Sequence, residues 1–289
     1  MKSARVFFGG AVHEATEAMQ DMPSTHGAPV TVPRAALGSA GSGVQLRLAD
    51  GRVVDEREVR WLAPFEPRTI FALALNYADH AQELAAKSSA EQGSFLQAQR
   101  SEPVVFLKGA NSVVGHRGLT RRPADGEFMH YECELAVVIG REGQRISRAR
   151  AMDFVRGYTV SNDYAIRNFL EPYYRPNLRV KSRDGGTALG PWLVDRNDID
   201  DPMNLVLRTE VNGRVVQEGH TGDMIHDVAS LIEYLSSFMT LSPGDVILTG
   251  TPKGSVDVQP GDEVVCEVQG VGRLLNTLVT DWPAGNQAG

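Results

Sequence analysis

The chain has 289 residues, a formal net charge of −7 and a hydrophobic fraction of 42%, which allow one large domain or a large and a small one. The acidic balance argues against nucleic acid and anionic membrane surfaces as partners. Apolar runs fall short of the roughly 20 residues of a membrane span, the first apolar stretch is too short for a signal peptide, and the two cysteines form no C-x-x-C pair. We therefore expect a reduced, cytoplasmic protein.

Residues 1–67 predict a small β-rich N-terminal domain. Within it, residues 44–48 alternate between apolar and polar side chains, as a half-buried strand does, and Asp50-Gly51 follows as a tight turn. Two prolines then mark a boundary. We expect a second, larger domain over residues 68–283 and a short tail at 284–289.

The larger domain is predicted to open with a buried strand over residues 69–75. Asn76 is a candidate N-cap for a helix that runs to about Lys87. Residues 88–101 have low hydrophobicity and no clear period, which is typical of a loop.

The rest of the chain is rich in strand patterns and poor in helices. Asn212-Gly213 joins two apolar runs, which is a strong hairpin signal, and residues 226–239 carry a helical apolar stripe. The other predicted elements are strands at 135–139, 158–162 and 246–248, a short helix at 148–155 and a hairpin between 263 and 279. This pattern predicts a mainly β fold with a few helices (α+β), since it does not alternate as a βαβ chain would.

Glu132 and Glu134 stand two apart at the start of the apolar run 135–139. Side chains alternate along a strand, so the two carboxylates share a face while Cys133 points to the other. Two carboxylates beside a core strand repel each other and resist burial, a conflict that a bound cation resolves. Oxygen ligands of this kind suit Mg²⁺ or Mn²⁺. The alternative is an edge strand whose acidic face meets water.

A hard cation usually takes a further anionic ligand, and Asp163 is the candidate because it ends the core-like strand 158–162. The alternative for Asp163 is a turn or helix cap. His80 and Glu83 sit three residues apart on a predicted helix and so share a face. A carboxylate beside a histidine fixes its tautomer and makes an acid/base pair, although a surface ion pair has the same spacing.

Four arginines and one lysine fall between Arg167 and Arg183, in a chain that is acidic overall. Arginine forks match carboxylates, so this segment favours a substrate with more than one carboxylate. A solvated basic loop is the alternative interpretation. Residues 249–254 follow a strand and contain glycines at 250 and 254. Their backbone N–H groups and Thr251 could contact an anion. The alternative is that the segment is a plain β-turn. Lys108 ends a strand, with a solvent-facing position left open.

Several motifs occur together in the order of one family. They are Asn76-Tyr77-Ala78-Asp79-His80, Phe106-Leu107-Lys108, Glu132-x-Glu134-Leu135, Asn162-Asp163, Lys181-Ser182-x-Asp184 and Thr249-Gly250-Thr251-Pro252-x-Gly254. On these motifs the chain resembles the fumarylacetoacetate hydrolase superfamily from about residue 68 to 282. Within it, residues 129–132 and 173–185 resemble the isomerase/decarboxylase of homoprotocatechuate (4-hydroxyphenylacetate) degradation, of the C-terminal-half or separate-subunit type.

This resemblance implies a mixed β-sandwich roll and a cytoplasmic homodimer, with room for a second family subunit. It implies Mg²⁺ or Mn²⁺ on Glu132, Glu134 and Asp163. The implied catalytic residues are His80 and Glu83 in a lid, with Lys181 beside the metal. The candidate substrate contacts are Lys108, Tyr164, Arg167, Arg175, Arg179 and Thr251, with Arg183 as a further candidate for a distal carboxylate.

The resemblance also implies a reaction through an enolate whose negative charge the metal stabilises. Decarboxylation of 5-oxopent-3-ene-1,2,5-tricarboxylate and isomerisation of 2-hydroxyhepta-2,4-diene-1,7-dioate both pass through such an enolate. The alternatives are an acylpyruvate hydrolase or oxaloacetate decarboxylase on the same scaffold, and a non-catalytic subunit of a hetero-oligomer.

Overall fold

The computed structural model describes residues 1–18, 43–80, 102–169 and 177–281. These residues form mostly strands and few helices, so the predicted mainly β class is confirmed. The strands are β1 (Lys2–Phe8), β2 (Ala11–Glu17), β3 (Gln45–Leu48), β4 (Val53–Asp55), β5 (Arg60–Trp61), β6 (Ile70–Ala74), β7 (Val104–Lys108), β8 (Val113–Val114), β9 (Gly118–Arg122), β10 (Met129–His130), β11 (Cys133–Ile139), β12 (Val155–Asp163), β13 (Ala165–Ile166), β14 (Thr187–Asp195), β15 (Val206–Val211), β16 (Arg214–His220), β17 (Val246–Leu248), β18 (Glu263–Val268) and β19 (Gly272–Thr280).

Two α-helices lie within the described residues, α1 (Leu178–Lys181) and α2 (Val228–Phe238). A further helix begins at residue 78. Short 3-10 helices cover Glu56–Glu58, Ala110–Ser112, Arg148–Phe154, Arg167–Phe169, Arg196–Asp198 and Thr221–Asp223. The predicted helix at 148–155 is therefore 3-10, and the apolar stripe of 226–239 is α2. None of the described helices has the length and apolar character needed to cross a bilayer.

The largest sheet has the strand order β4-β3-β2-β1-β14-β12-β11-β17-β6-β7, with β5 beside β1 and β8 beside β14. In its interior, between β12 and β17, lies β11, in which every residue is buried. The sequence of β11 is a nearly continuous hydrophobic run because a strand that is covered on both faces has apolar side chains on both faces. This burial makes the acidic residues at the start of β11 unusual.

A smaller sheet, ordered β16-β15-β18-β19-β9, packs on one face of the large sheet. Its hairpin β15–β16 turns at Asn212-Gly213, as predicted, and both residues have positive φ, 51° and 75°. A two-residue type I′ turn needs positive φ at both positions, which asparagine and glycine tolerate. The last hairpin, β18–β19, is also confirmed.

The side chains of β11 divide between two cores according to strand alternation. Leu135, Val137 and Ile139 lie in the core between the two sheets, together with Cys133. Ala136 and Val138 lie in a second core on the opposite face. Glu132 and Glu134 are an even number of residues from Ala136 and Val138, so their side chains point to the same face of the large sheet. Both carboxylates therefore lie on the face away from the smaller sheet.

The N-terminal strands are continuous with the large sheet, because Lys2 of β1 pairs with Val194 of β14. The predicted strand at 44–48 is observed as β3, followed by the turn at Asp50-Gly51. The division into domains at residues 67 and 283 stays a prediction. The predicted loop at 88–101 lies outside the described residues.

His116 gives the fold a defined sensitivity to acid. Its ring is buried 4.9 Å from the ring of Trp61, and its Nδ1 accepts a hydrogen bond from Leu275 N at 3.1 Å. Burial, assisted by the charge of Arg117, lowers the pKa of His116 from 6.5 to about 3. The folded protein therefore binds fewer protons than the unfolded chain between these two values, and stability falls as the pH drops through that window.

We expect this single group to remove on the order of 3–5 kcal/mol of unfolding free energy by pH 3, relative to pH 7. The His116→Gln variant keeps an acceptor for Leu275 N but does not titrate, so its stability should fall less steeply. Urea unfolding of both proteins at pH 4 and pH 7 measures the difference. Equal pH dependence in the two proteins would exclude His116 as the cause.

Candidate metal centre

The pairing of β11 with β12 brings three carboxylates together. Cys133 pairs with Asn162 and Glu134 with Ser161, so Glu132 lies across from Asp163. Asp163 N donates to Glu132 O at 2.9 Å, which extends the backbone hydrogen bonding between β11 and β12 by one residue. One carboxylate oxygen from each of Glu132, Glu134 and Asp163 lies within 4.8 Å of the other two. The sequence prediction that these three side chains converge is correct in geometry, and their role as ligands stays a prediction.

Glu134 is the least compensated member of this carboxylate triad. It is 0% exposed, and its Oε2 accepts one hydrogen bond from Gly250 N at 2.7 Å. Its Oε1 has no hydrogen-bond partner among the described residues. Burial, followed by the charges of Asp163 and Glu132, raises the pKa of Glu134 well above its usual 4.5. A divalent cation would satisfy the orphaned oxygen and offset the repulsion, so these residues fit the expected Mg²⁺ or Mn²⁺.

Cations gather at the other two carboxylates. Lys181 Nζ donates to Glu132 Oε2 at 2.5 Å and to Asp163 Oδ2 at 2.9 Å, and Arg167 Nη2 donates to Glu132 Oε1 at 2.8 Å. Burial alone would raise the pKa of Glu132, but Lys181 and Arg167 outweigh it and lower the pKa to about 2. Burial would likewise lower the pKa of Lys181, but Asp163 and Glu132 raise it above 10.5. Lys181 is thus a fixed positive charge beside the triad, as expected.

Lys108 is also part of this cluster. The sequence left open a solvent-facing position for Lys108. That interpretation is wrong, since the side chain is 0% exposed. Its Nζ donates to Asp163 Oδ1 and to the backbone oxygen of Lys181. Burial lowers the pKa of Lys108 even though Asp163 opposes the shift. The lysine therefore fastens the end of β7 to the end of β12 and to helix α1.

His80 lies at the start of the helix that begins at residue 78, and it is only 5% exposed. It is close enough to Glu132 for its charge to contribute to the lowered pKa of that carboxylate. Glu83 lies outside the described residues, so the predicted His80–Glu83 pair stays a prediction.

Asn76 does not cap this helix, which corrects the sequence prediction. Its Nδ2 donates to Thr249 O and His226 O, both at 2.9 Å, and its Oδ1 accepts from His226 N at 2.9 Å. The buried amide instead connects the end of β6 to Thr249 after β17 and to His226 before α2. This role has no signature in the local sequence, because the two partners are 150 and 173 positions away.

The arginines of the basic segment divide into two groups. Arg167 reaches the triad, where it contacts Glu132 and also donates from Nε to His130 Nδ1 at 3.3 Å. Arg179 instead pairs with Asp125 at 2.9 Å and stacks over Phe169, with its side chain 60% exposed. Arg183 lies 3.7 Å from the same Asp125. Arg175 lies outside the described residues. Of the described arginines in this segment, Arg167 is the one placed to meet a ligand at the carboxylates.

In the segment 249–254, the first glycine, Gly250, donates a hydrogen bond to the carboxylate triad. Gly250 has φ 90° and its N–H points at Glu134, so this donor serves the carboxylate and not an external anion. A Cβ on Gly250 would lie 3.0 Å from Asn76 Cβ, a second reason for glycine here. Thr251 is 3% exposed, and its hydroxyl accepts a hydrogen bond from Gln217, a residue that the sequence did not single out.

Tyr164 follows Asp163 directly but lies in the core between the sheets, 2% exposed. Burial, with the nearby Cys266, raises the pKa of Tyr164 well above 10. The structure therefore does not bring this candidate substrate contact to the carboxylate face. Asn162 of β12 supports the site through the backbone of Glu132, since its Oδ1 accepts from Glu132 N at 3.0 Å. Cys133 lies in the core, as expected for a residue that is not a ligand.

Comparison with known proteins identifies the scaffold. The family profile described as Fumarylacetoacetate (FAA) hydrolase C-terminal matches residues 69–279. The chain belongs to the fumarylacetoacetate hydrolase family. The resemblance seen in the sequence motifs is therefore confirmed.

Two similar relatives are 4-hydroxyphenylacetate degradation bifunctional isomerase/decarboxylases. The one from Salmonella dublin is 57% identical over 213 residues, which are 74% of this chain and 47% of the relative. The one from Escherichia coli is 56% identical over 234 residues, 79% of this chain and 52% of the relative. The chain thus spans about half the length of these enzymes.

A solved structure supports the fold assignment over nearly the whole chain. The 2-hydroxyhepta-2,4-diene-1,7-dioate isomerase from Mycobacterium marinum superimposes with a TM-score of 0.76 at 32% sequence identity. The match covers 98% of this chain and 100% of the other. The fumarylacetoacetate-hydrolase-like fold expected from the sequence is confirmed.

Proposed function

We propose that this family member is a divalent-metal-dependent isomerase/decarboxylase of homoprotocatechuate degradation. Its substrates would be 2-hydroxyhepta-2,4-diene-1,7-dioate, isomerised to 2-oxohept-3-ene-1,7-dioate, and 5-oxopent-3-ene-1,2,5-tricarboxylate, which loses CO₂. The observation that carries the proposal is the buried triad of Glu132, Glu134 and Asp163 with an orphaned oxygen on Glu134. The names of the two similar bifunctional relatives supply the choice of substrates.

Glu132, Glu134 and Asp163 would hold Mg²⁺ or Mn²⁺, which when bound supplies Lewis-acid stabilisation of negative charge on a 2-oxo acid. Lys181 donates from within the same cluster and holds a permanent positive charge beside the carboxylates. Fixed charges in a buried site need no reorganisation as charge develops, so Lys181 would stabilise the enolate.

The remaining groups would bind the substrate and move a proton. Arg167 is 16% exposed and already meets a carboxylate, so it can recognise one carboxylate of a dioate or tricarboxylate. Thr251 would donate its hydroxyl to a second carboxylate. His80, with Glu83, would take the proton from the 2-hydroxyl group and deliver it to C5 in the isomerisation, and would protonate the oxygen of the dienolate left by loss of CO₂ to give the hydroxydiene.

We also propose a cytoplasmic location and a homodimer that can take a second family subunit as a further partner. Nucleic acid and membrane are not expected partners for a chain with a net charge of −7. These proposals rest on composition and on the family.

The test follows ultraviolet absorbance after addition of the purified protein and Mg²⁺ to the tricarboxylate. We expect the diene to form and then to decay by isomerisation, and both steps to stop in excess chelator. The His80→Ala variant should bind metal normally and lose about 100-fold or more in proton transfer. Turnover that resists the chelator would refute the metal-dependent mechanism, and a near-normal rate in His80→Ala would refute the role of His80.

The same assay separates the rival functions. Faster turnover of oxaloacetate or of an acylpyruvate than of the seven-carbon dioate would assign the chain to a hydrolase or decarboxylase of smaller substrates. Metal binding without turnover of any of these compounds would favour a non-catalytic subunit.

A further inference from the structure

A buried glutamine stands behind the proposed substrate contact Thr251. Gln217 belongs to β16 of the smaller sheet and is 4% exposed. Its Nε2 donates to Pro252 O at 2.7 Å and to Thr251 Oγ1 at 3.1 Å. Its Oε1 accepts from Thr209 Oγ1 at 2.7 Å. Both ends of the amide are thus engaged.

These contacts settle which way the amide faces. The backbone oxygen of Pro252 is only an acceptor, so the amide nitrogen of Gln217 must point towards it. The second hydrogen of that nitrogen then points at Thr251 Oγ1, and the amide oxygen points at Thr209. The hydroxyl of Thr251 is therefore an acceptor towards Gln217, and its own hydrogen must be directed elsewhere.

The loop that carries Thr251 is held in place by the smaller sheet and by Tyr131. Gly219 of β16 lies against Pro252 so closely that a Cβ there would be 2.5 Å from the proline ring. Tyr131 donates from its hydroxyl to Gly254 O at 2.8 Å. Within the described part of the chain, the hydrogen of the Thr251 hydroxyl meets no acceptor, whereas Gly250 beside it contacts Glu134.

We infer that Gln217 is a positioning residue that makes the hydroxyl of Thr251 a donor to the ligand, so that the site selects a group that accepts hydrogen bonds, such as a carboxylate, at this position. Gln217 itself acts through Thr251 and has no contact with the triad among the described residues. The inference deepens the proposed function and rests on its placement of Thr251 at a substrate carboxylate.

The decisive variant is Gln217→Glu, which has nearly the same size but offers acceptors in place of the amide hydrogens. The hydroxyl of Thr251 should turn towards the new carboxylate, and the ligand should lose its donor. We expect KM to rise about 10- to 100-fold, the range for a hydrogen bond to a charged group, with kcat changed much less. Gln217→Met, which fills the space without polar atoms, should give a smaller rise. Gln269→Met, at an exposed glutamine in the turn that follows β18, is the control and should match wild type.

A thermodynamic cycle separates positioning from a structural role. In a Thr251→Val background, Gln217→Glu should change KM less than threefold, because the hydroxyl that it reorients is gone. A rise of the same size in both backgrounds would overturn the inference. If Gln217→Glu does not fold, the same cycle is run with Gln217→Met.

Binding of oxalate to the Mg²⁺-loaded protein, measured by calorimetry, keeps the inference separate from the proposed activity. The inference would be supported if Gln217→Glu weakens oxalate binding in the wild-type background but has no effect on it in the Thr251→Val background. This result would count even if the dienoate is not turned over. Equal oxalate affinity in wild type and Gln217→Glu would overturn it while leaving the proposed reaction untouched.

Discussion

The Glu134→Gln variant should lose divalent-metal binding and at least 100-fold in turnover, yet its metal-free form should be as stable as wild type or more stable. Removing one of three anionic ligands from a site of this kind removes most of its affinity for a hard cation. In the absence of metal, however, the carboxylate of Glu134 is buried, near two other carboxylates and bonded by one N–H from Gly250. A neutral amide of the same shape relieves that repulsion.

The pH dependence of this variant has a definite sign. Burial and the charges of Asp163 and Glu132 raise the pKa of Glu134 in the folded state above 4.5. The folded protein then binds more protons than the unfolded chain above pH 4.5, so Glu134 makes the metal-free wild type less stable as the pH rises from there through the raised value. The gain from Glu134→Gln should therefore be larger at pH 8 than at pH 5.

Chemical unfolding in excess chelator at the two pH values, and Mg²⁺ titration by calorimetry, measure these effects. Glu142→Gln makes the same change at an exposed glutamate shortly after β11 and should behave as wild type. Metal-dependent turnover within tenfold of wild type in Glu134→Gln would show that Glu134 is not a ligand. A loss of several kcal/mol of metal-free stability would show that its carboxylate is satisfied in the fold.

The part of the site that could be predicted from the sequence depends on local rules. Strand alternation put Glu132 and Glu134 on one face of β11, and this holds because the period of a strand is fixed by its backbone. The Asn212-Gly213 turn was equally local, since it depends on two residues that tolerate positive φ. Asp163 followed from its place at the end of a core strand, which the pairing of β11 with β12 brought opposite Glu132.

The part that could not be predicted depends on distant partners. Lys108 is buried because Asp163, 55 positions later, and the carbonyl of Lys181, 73 positions later, receive its hydrogen bonds. Nothing near Lys108 in the chain distinguishes this from a lysine at an exposed strand end. Arg167 and Arg179 look alike in a basic segment, and only the folded chain shows that one meets Glu132 and the other meets Asp125.

The Lys181→Met variant should bind divalent metal more tightly than wild type and yet lose about 100- to 1,000-fold in turnover. The ammonium group lies 2.5 Å from Glu132 Oε2 and 2.9 Å from Asp163 Oδ2, so it competes electrostatically with a cation at the same carboxylates. Removing it should lower the Kd for Mg²⁺ by about tenfold, since even one nearby unit charge is worth more than 1 kcal/mol at a partly screened site. Turnover should fall because the charge that would stabilise the enolate is gone.

The metal-free form of this variant should be destabilised by about 3–5 kcal/mol, because two buried carboxylates lose a partner. Mg²⁺ should restore much of that stability, so the rise in Tm on adding Mg²⁺ should be larger than in wild type. Lys2→Met, at an exposed lysine of β1, is the matched control. Weaker metal binding in Lys181→Met would mean that Lys181 organises the ligands, whereas retained turnover would remove it from the chemistry. Tighter binding with lost turnover would separate the two proposed roles of the cluster, in which the three carboxylates would hold the cation and the lysine would act on the substrate.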